Sequence, residues 1–398
     1  MKDFVRTCAL SKKWRYLRTS YPNLALFERN FSGRKQFTNF VDSPGLLSHK
    51  TRNVKRCFVH LSEIPGNFVL PYCLFSCTTL TRLTLSIPWA LKLPSQIWLP
   101  NLKHLHLQCS TFVDKHSTEQ LLSSCPVLEE STIRYCTWDN LKTLTTRAPM
   151  LKILTIQDED FDCSVESGFR GSVIPNNSSD CPSVHPYGYR VVIYGNDLEG
   201  INCVSPLLND HRVEKSCSLL HAYMDVPDRC LRRTQQVAYR LNKLLEGVCS
   251  IKRLTLSSKA IDHLPVFPKL EELDLGRLDL KHQVIVKLLH DSPNLETLRF
   301  SGSQHRWRAI GSHTPRCFSL HLRQIELSDV FLRKDFHVLE VLLKHAMVLE
   351  KLIICPKWHL LEQGIEQKFR QKLLEIPCRS ESLEITFFGV EIHQKSLV

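Results

Sequence analysis

Leucine recurs along this chain in one spacing, Leu-x-x-Leu-x-Leu, in which the last two apolar positions alternate with polar ones. Leu102, Leu105 and Leu107 in the stretch LKHLHL form the clearest copy. The same skeleton stands at Leu80, Leu83, Leu85; Leu151, Leu154, Ile156; Ile251, Leu254, Leu256; Leu270, Leu273, Leu275; Leu295, Leu298, Phe300; Leu322, Ile325, Leu327; and Leu349, Leu352, Ile354. Alternating apolar residues point to one side of a short strand, and the first leucine packs at the strand's entrance under the same core. One such unit cannot bury its apolar side alone, whereas stacked units can.

Successive starts lie 22 (80 to 102), 25 (270 to 295) and 27 residues apart (295 to 322), within the roughly 20–29 residues of a leucine-rich repeat. The fold class expected is therefore an α/β leucine-rich-repeat solenoid, a curved parallel sheet with helices on its outer side. Apolar faces such as Val237, Leu241, Leu244 and Leu245, ending at Gly247, predict helices that lead into the next strand. Proline in Ser124–Pro126 and Ala148–Pro149 reads as a stop before a strand. Ser131 takes the place of a middle leucine, at a cost of about 1–3 kcal/mol unless its hydroxyl finds a partner. Leu151 and Ile251 lie 100 residues apart, room for about three hidden units; YRVVIY (189–194) and residues 218–226 read as degenerate strands.

The pattern divides the chain into a helical segment over 1–26, a connector over 27–53, the solenoid over 54–314, a C-terminal region over 315–388 and a tail over 389–398. Within the solenoid, glycine, proline, asparagine and serine cluster near 157–188 and mark a loop insertion, read as a tolerated surface excursion rather than a binding lip. In the first segment Asp3 and Ser11 can cap two short helices whose apolar side is Phe4, Val5, Cys8, Leu10, Trp14 and Leu17. On residues alone these form a cap over the first repeat.

Charge sharpens the division. The chain carries a net charge of +12, of which Met1 to Arg56 hold 13 Lys and Arg against 3 acidic residues, leaving only +2 for the rest. A nucleic-acid-binding solenoid would carry its basic residues along the repeats, so no nucleic-acid partner is expected for the array. With no run of about 18 apolar residues and no apolar leader, the expectation is a protein of the cytoplasm or nucleus with no membrane partner. The 16 cysteines, scattered and often in apolar repeat positions such as Cys125 and Cys249, read as thiols.

Several stretches resemble a known family. Lys2 to Thr7 (KDFVRT), Leu10 to Leu17 (LSKKWRYL) and Thr19 to Leu24 (TSYPNL) are similar to the second half of the F-box of plant F-box/FBD/leucine-rich-repeat proteins. That family's Leu-Pro opening and following apolar helix are not among these residues, so the F-box is read as partial and N-terminally truncated. The repeats, with their Leu-Pro, Cys and Leu-x-x-Leu-x-Leu phrases, resemble the same family, and Pro315 to Phe388, closing on SLEITFF, resembles its FBD region. The resemblance implies a substrate-recognition subunit of a Skp/cullin/F-box ubiquitin ligase, with a Skp-type adaptor and cullin as partners and Val5, Leu10, Trp14 and Leu17 facing the adaptor. The alternative is a non-catalytic interaction scaffold that no longer recruits a ligase.

No phosphate-binding loop, G-x-S-x-G, H-E-x-x-H or paired C-x-x-C motif occurs. No catalytic, cofactor or metal site is expected: His104 and His106, two apart on one strand, are better explained as solvent-facing positions than as metal ligands. The stronger candidate is the open sheet face, formed by the polar residues between buried leucines: Arg82, Thr84, His104, His106, Glu130, Thr132, Arg253, Thr255, Glu272, Asp274, Thr297, Arg299, Gln324 and Glu326. Mixed charge and hydroxyl groups in such rows suit recognition of a protein.

Overall fold

Each Leu-x-x-Leu-x-Leu copy becomes one short strand laid parallel to the next, so that equivalent leucines meet in register. The computed structural model describes residues 22–41, 54–62, 70, 72–112, 115–137, 143–158, 190–194, 197–207, 210–214, 218–226, 234–258, 264–276, 282–301, 314–330, 336–356, 365–377, 379–380 and 382–387. The chain divides into two compact units between Ser218 and Leu219.

The strands described in the first unit are β1 (Asn23–Phe27), β2 (Arg56–His60), β3 (Arg82–Ser86), β4 (His104–Gln108), β5 (Glu130–Arg134), β6 (Thr143–Arg147), β7 (Ile153–Gln157), β8 (Arg190–Tyr194), β9 (Gly200–Val204) and β10 (Asp210–Val213). Seven form a parallel ladder in the order β1-β2-β3-β4-β5-β7-β9, while β10, β8 and β6 form a separate parallel sheet. In the second unit β11 (His221–Val226), β12 (Arg253–Ser258), β13 (Glu272–Leu275), β14 (Thr297–Ser301), β15 (Gln324–Val330), β16 (Lys351–Pro356) and β17 (Glu384–Phe387) follow one another as a second parallel run.

Register turns the sequence pattern into a core. Leu83, Leu105, Ser131, Leu154 and Ile201 share one buried row, and Leu85, Leu107, Ile133, Ile156 and Cys203 the next. In the second unit Leu254, Leu273, Leu298, Ile325 and Leu352 align in the same way, each essentially inaccessible to solvent. Burying each such side chain contributes about 1.5–3 kcal/mol. Ser131 interrupts its row: it is 1% exposed and its hydroxyl has no hydrogen-bond partner.

The prolines do more than stop a segment. In Leu99-Pro100-Asn101-Leu102, Cys125-Pro126-Val127-Leu128, Ala148-Pro149-Met150-Leu151, Phe267-Pro268-Lys269-Leu270 and Ser292-Pro293-Asn294-Leu295, the leucine N–H donates to the carbonyl three residues back at 3.1–3.3 Å. Proline sits second in each turn, where its fixed φ suits the bend. Where asparagine follows, its side-chain amide donates to a carbonyl of the preceding repeat: Asn101 to Thr78 at 2.6 Å and Asn294 to Pro268 at 2.7 Å. The turn therefore both seats the first leucine and ties neighbouring units.

Eight helices occur among the described residues: α1 (Arg34–Val41), α2 (Tyr72–Phe75), α3 (Lys115–Ser123), α4 (Thr234–Gly247), α5 (His282–His290), α6 (Arg316–Leu320), α7 (Phe336–His345) and α8 (Ile365–Leu374). The predicted face of α4, Val237, Leu241, Leu244 and Leu245, is buried. Between α7 and the terminal strand β17, Phe369 of α8 meets Phe336 and Phe387 edge-on, with ring centroids 5.6 and 6.3 Å away, and the Arg370 guanidinium lies 4.4 Å over the Phe387 ring.

Three local expectations differ from the structure. The ladder begins at β1, earlier than the first strand read from sequence at Val54, and the stretch read as a connector contains α1. α1 buries Phe37 and Val41, and its Arg34 holds Glu28 through Nε and Nη2 at 2.6 and 3.1 Å while stacking 4.4 Å over Trp89. Ser62 donates its backbone N–H and its hydroxyl to the same carboxylate, each at 2.8 Å. Burial alone would raise Glu28, but the bonds from Arg34 and Ser62 prevail and hold it below the ordinary carboxylate range. The segment before the Ala148–Pro149 stop, where the leucine spacing predicts no strand, forms β6, because its β-branched threonines Thr143, Thr145 and Thr146 favour extended backbone. Finally, among its described residues the 100-residue gap holds one further ladder strand in the first unit, β9, and one in the second, β11; β8 and β10 join β6 instead of the ladder. The expected adaptor-facing residues and residues 159–188 of the expected insertion lie outside the described residues.

Candidate target-binding face

Alternation that buries every second residue of a strand leaves the intervening side chains on the opposite side, and the parallel register gathers them into rows. In the first unit one row runs Arg56, Arg82, His104, Glu130, and the next runs Phe58, Thr84, His106, Thr132, Thr155, Asn202. Arg82 and Glu130 are exposed; Thr84, His104, His106 and Thr132 are half-buried. His104 Nδ1 lies 3.0 Å from Glu130 Oε2, and beside it Lys103 Nζ lies 2.6 Å from Glu129 Oε1. Burial and, second, the charge of Arg134 push the His106 imidazole below its ordinary value, favouring the neutral ring. Asn202 donates to the Thr155 hydroxyl at 3.2 Å, which continues the row by side-chain contact.

An aromatic cluster at the start of these rows had no leucine-pattern signal. The rings of Phe27 and Phe58 lie 5.0 Å apart, His60 stacks near Phe58 at 6.3 Å, and the Arg29 guanidinium sits 5.1 Å over Phe27. Burial, followed by the Arg29 charge, lowers the His60 pKa. With Lys55, Arg56 and Arg82 close in sequence to the same strands, this end of the face is basic and aromatic.

The second unit carries a different chemistry. Its rows are Arg253, Glu272, Thr297, Gln324, Lys351 and Thr255, Asp274, Arg299, Glu326, Ile353. Arg299 bridges two strands: Nη1 reaches Glu272 Oε2 at 2.8 Å and Nε reaches Glu326 Oε2 at 3.2 Å. The hydrogen bond that Arg299 donates to Glu272 is foremost among the effects that raise the guanidinium pKa further, so Arg299 is a fixed cation. Arg253, Thr255, Glu272, Asp274 and Arg299 together line a cavity of about 370 Å³, and Glu326 reaches it through Arg299. Thr297 and Gln324 belong to the same row without lining that cavity.

His221 and Tyr223 of β11 complete the cavity wall, and the sequence reading missed them because that strand lacks leucines. A signal was present in the alternation of HAYMDV, in which Ala222, Met224 and Val226 are buried while Tyr223 remains 37% exposed. Burial, then the charge of Asp225 and a hydrogen bond to it, and lastly Asp274, keep the Tyr223 phenol protonated.

Among the described residues no group of three or more His, Cys, Asp or Glu is placed to hold a metal ion, and no helix is long and apolar enough to cross a membrane. On this face the Arg299 guanidinium is held by carboxylates of the neighbouring strands.

Comparison with known proteins is consistent along most of the chain. The family model describing the leucine-rich repeats of the FBD-associated F-box protein At5g56370 matches residues 46–167 and 220–370. Among curated relatives from Arabidopsis thaliana, the F-box/FBD/LRR-repeat protein At5g56420 is 28% identical, covering 89% of this chain and 87% of its own length. The F-box/FBD/LRR-repeat protein At4g26340 is 26% identical over 97% of this chain and 95% of its own. The F-box/LRR-repeat protein At4g14096 is 28% identical over 77% and 70%. With repeats, register and match in agreement, the chain belongs to the plant family of FBD-associated F-box proteins with leucine-rich repeats.

Proposed function

We propose that this chain is the substrate-recognition subunit of a Skp/cullin/F-box ubiquitin ligase and that its outward strand rows receive the target protein. Its membership in a family of F-box proteins carries the reading, because F-box proteins couple a target-binding domain to a Skp-type adaptor. The chain itself does no bond chemistry in this account: it holds the target near ubiquitin transferred by partner subunits, so its contribution is proximity. The mixed rows support this role, since fixed charges on adjoining strands favour one partner and penalise others.

The adaptor contact is assigned to Val5, Leu10, Trp14 and Leu17, from the F-box resemblance of residues 1–26. Co-purification of the full chain with a Skp-type adaptor, beside a variant carrying Trp14→Ala and Leu17→Ala, tests it. Binding that the double substitution abolishes is the expected result. Absence of binding by the unaltered chain at micromolar concentration overturns ligase recruitment and leaves a non-catalytic scaffold as the account.

A further inference from the structure

Three carboxylates, Glu272, Asp274 and Glu326, flank one guanidinium, Arg299, without converging on one point, where β13, β14 and β15 run side by side. Arg299 is shared between Glu272 and Glu326. Asp274, which lies between Thr255 and Arg299 in register, is left over: its Oδ1 is buried and has no hydrogen-bond partner. Burial pushes the Asp274 carboxyl up, Arg299 pulls it down and Glu326 raises it again, with burial prevailing. A carboxylate oxygen withdrawn from water without a donor is costly, and the group would be ionised comfortably only with a further cation beside it. The Asp274 side chain also lines the 370 Å³ cavity, with the partly exposed Tyr223 ring on one wall.

Resting on the reading that this face receives the target, we propose that the cavity anchors one basic side chain of the target protein, an arginine or lysine. Its N–H group donates to the Asp274 carboxylate, whose side chain turns to present Oδ1 to the cavity, and its aliphatic stem lies along Tyr223. Charge selects this occupant. An acidic side chain would meet Glu272, Asp274 and Glu326 against the already engaged Arg299 and the exposed Arg253, a balance that still leaves one negative charge in excess. An apolar one would bury Asp274 further and leave its oxygen unpaired. A neutral amide could donate to that oxygen but would leave the excess negative charge in place. A cation does both, and its hydrogen bond to a carboxylate is of the stronger, charge-assisted kind. A divalent metal is disfavoured because no three ligating groups converge among the described residues. Arg253, exposed at the cavity, is placed to meet an acidic neighbour of the basic residue.

Four pools of labelled nonapeptides with neutral, varied flanks and a fixed central arginine, lysine, norleucine or glutamate, titrated against the full chain by fluorescence anisotropy, test the proposal. Free spermidine serves as a competitor. The arginine and lysine pools are expected to bind about tenfold more tightly than the other two, and Asp274→Asn, which keeps the shape of the side chain, to remove the preference. Equal binding by all pools, no binding by any up to about 1 mM, a preference unchanged in Asp274→Asn, or spermidine binding as tightly as the arginine pool would each overturn it. Thermal unfolding of Asp274→Asn separates loss of the anchor from loss of fold. A chain that binds the adaptor yet shows no basic preference loses only the anchor. One that shows the preference without adaptor binding loses only the ligase reading.

Discussion

Ser131 shows how far a single position can depart from the repeat and still be tolerated. It lies between Leu105 and Leu154 in its row, fully buried, with an unpartnered hydroxyl. Replacing the hydroxyl by hydrogen removes a desolvated polar group and leaves the carbon skeleton unchanged. Ser131→Ala should therefore stabilise the protein by about 1 kcal/mol, read as a higher midpoint in urea with an unchanged slope; a lower midpoint would mean that the hydroxyl has a partner. This oddity was legible because the sequence shows a polar residue where the spacing demands leucine. The Glu28 contact was not, since its carboxylate is satisfied by Arg34, six residues on, and by Ser62, 34 residues on. No local pattern encodes a pairing that only parallel stacking of β1 and β2 creates. Asp274 occupies a middle case: its outward direction followed from alternation, whereas its unpartnered oxygen depended on Arg299 choosing Glu272 and Glu326.

At the scale of the element, the turn before each strand does more than the leucines alone disclose. Pro-x-Leu or Pro-Asn-Leu fixes the bend, the leucine N–H closes it, and asparagine binds the preceding turn. These contributions differ in size. Asn294→Ala removes one exposed hydrogen bond and should cost about 0.5–1 kcal/mol, while Leu295→Ala empties a fully buried position and should cost about 2–5 kcal/mol. Urea titration of both variants gives the comparison, and equal losses would show that the leucine site collapses around the missing side chain. Strands announced by this phrase were readable in advance. β6 was not foreseen because its threonines carry a β preference without the leucine spacing, and α1 was missed because Phe37 and Val41 bury against partners that the helical pattern does not name. β11 showed alternation without leucine, so its strand was foreseen but its contribution to the cavity was not.

Over the whole molecule, the repeat uses cysteine as a small apolar residue that can also satisfy a carbonyl. The ten cysteines among the described residues are all free thiols. Cys125 Sγ donates within its own repeat to Leu121 O at 3.2 Å, whereas the bonds from Cys317 Sγ to Leu289 O at 3.5 Å and from Cys136 Sγ to Leu107 O at 3.7 Å link one repeat to the one before it. Burial pushes Cys57, Cys125, Cys136 and Cys317 up to about 12, and raises Cys203 as well. Thiolate is the reactive form, so at pH 8 these five are shielded both sterically and by protonation. Cys73, Cys77, Cys109 and Cys249 stand in half-buried positions, where the steric shield is incomplete. Brief treatment of the native protein with iodoacetamide at pH 8, followed by peptide mass spectrometry, should label members of the second group and spare all five of the first, with all nine labelled in denaturant. Each buried thiol reports on its own part of the stack: Cys57, Cys125, Cys136 and Cys203 in the first unit, Cys317 in the second. Because solenoid stability is carried by neighbouring interfaces, labelling of one buried thiol under native conditions would locate an opening at that repeat without implying unfolding of the others. A cysteine labelled as fast as Cys249 would show that the apolar stack is not closed there, and that the outward rows beside it lack the fixed backing on which recognition by this face depends.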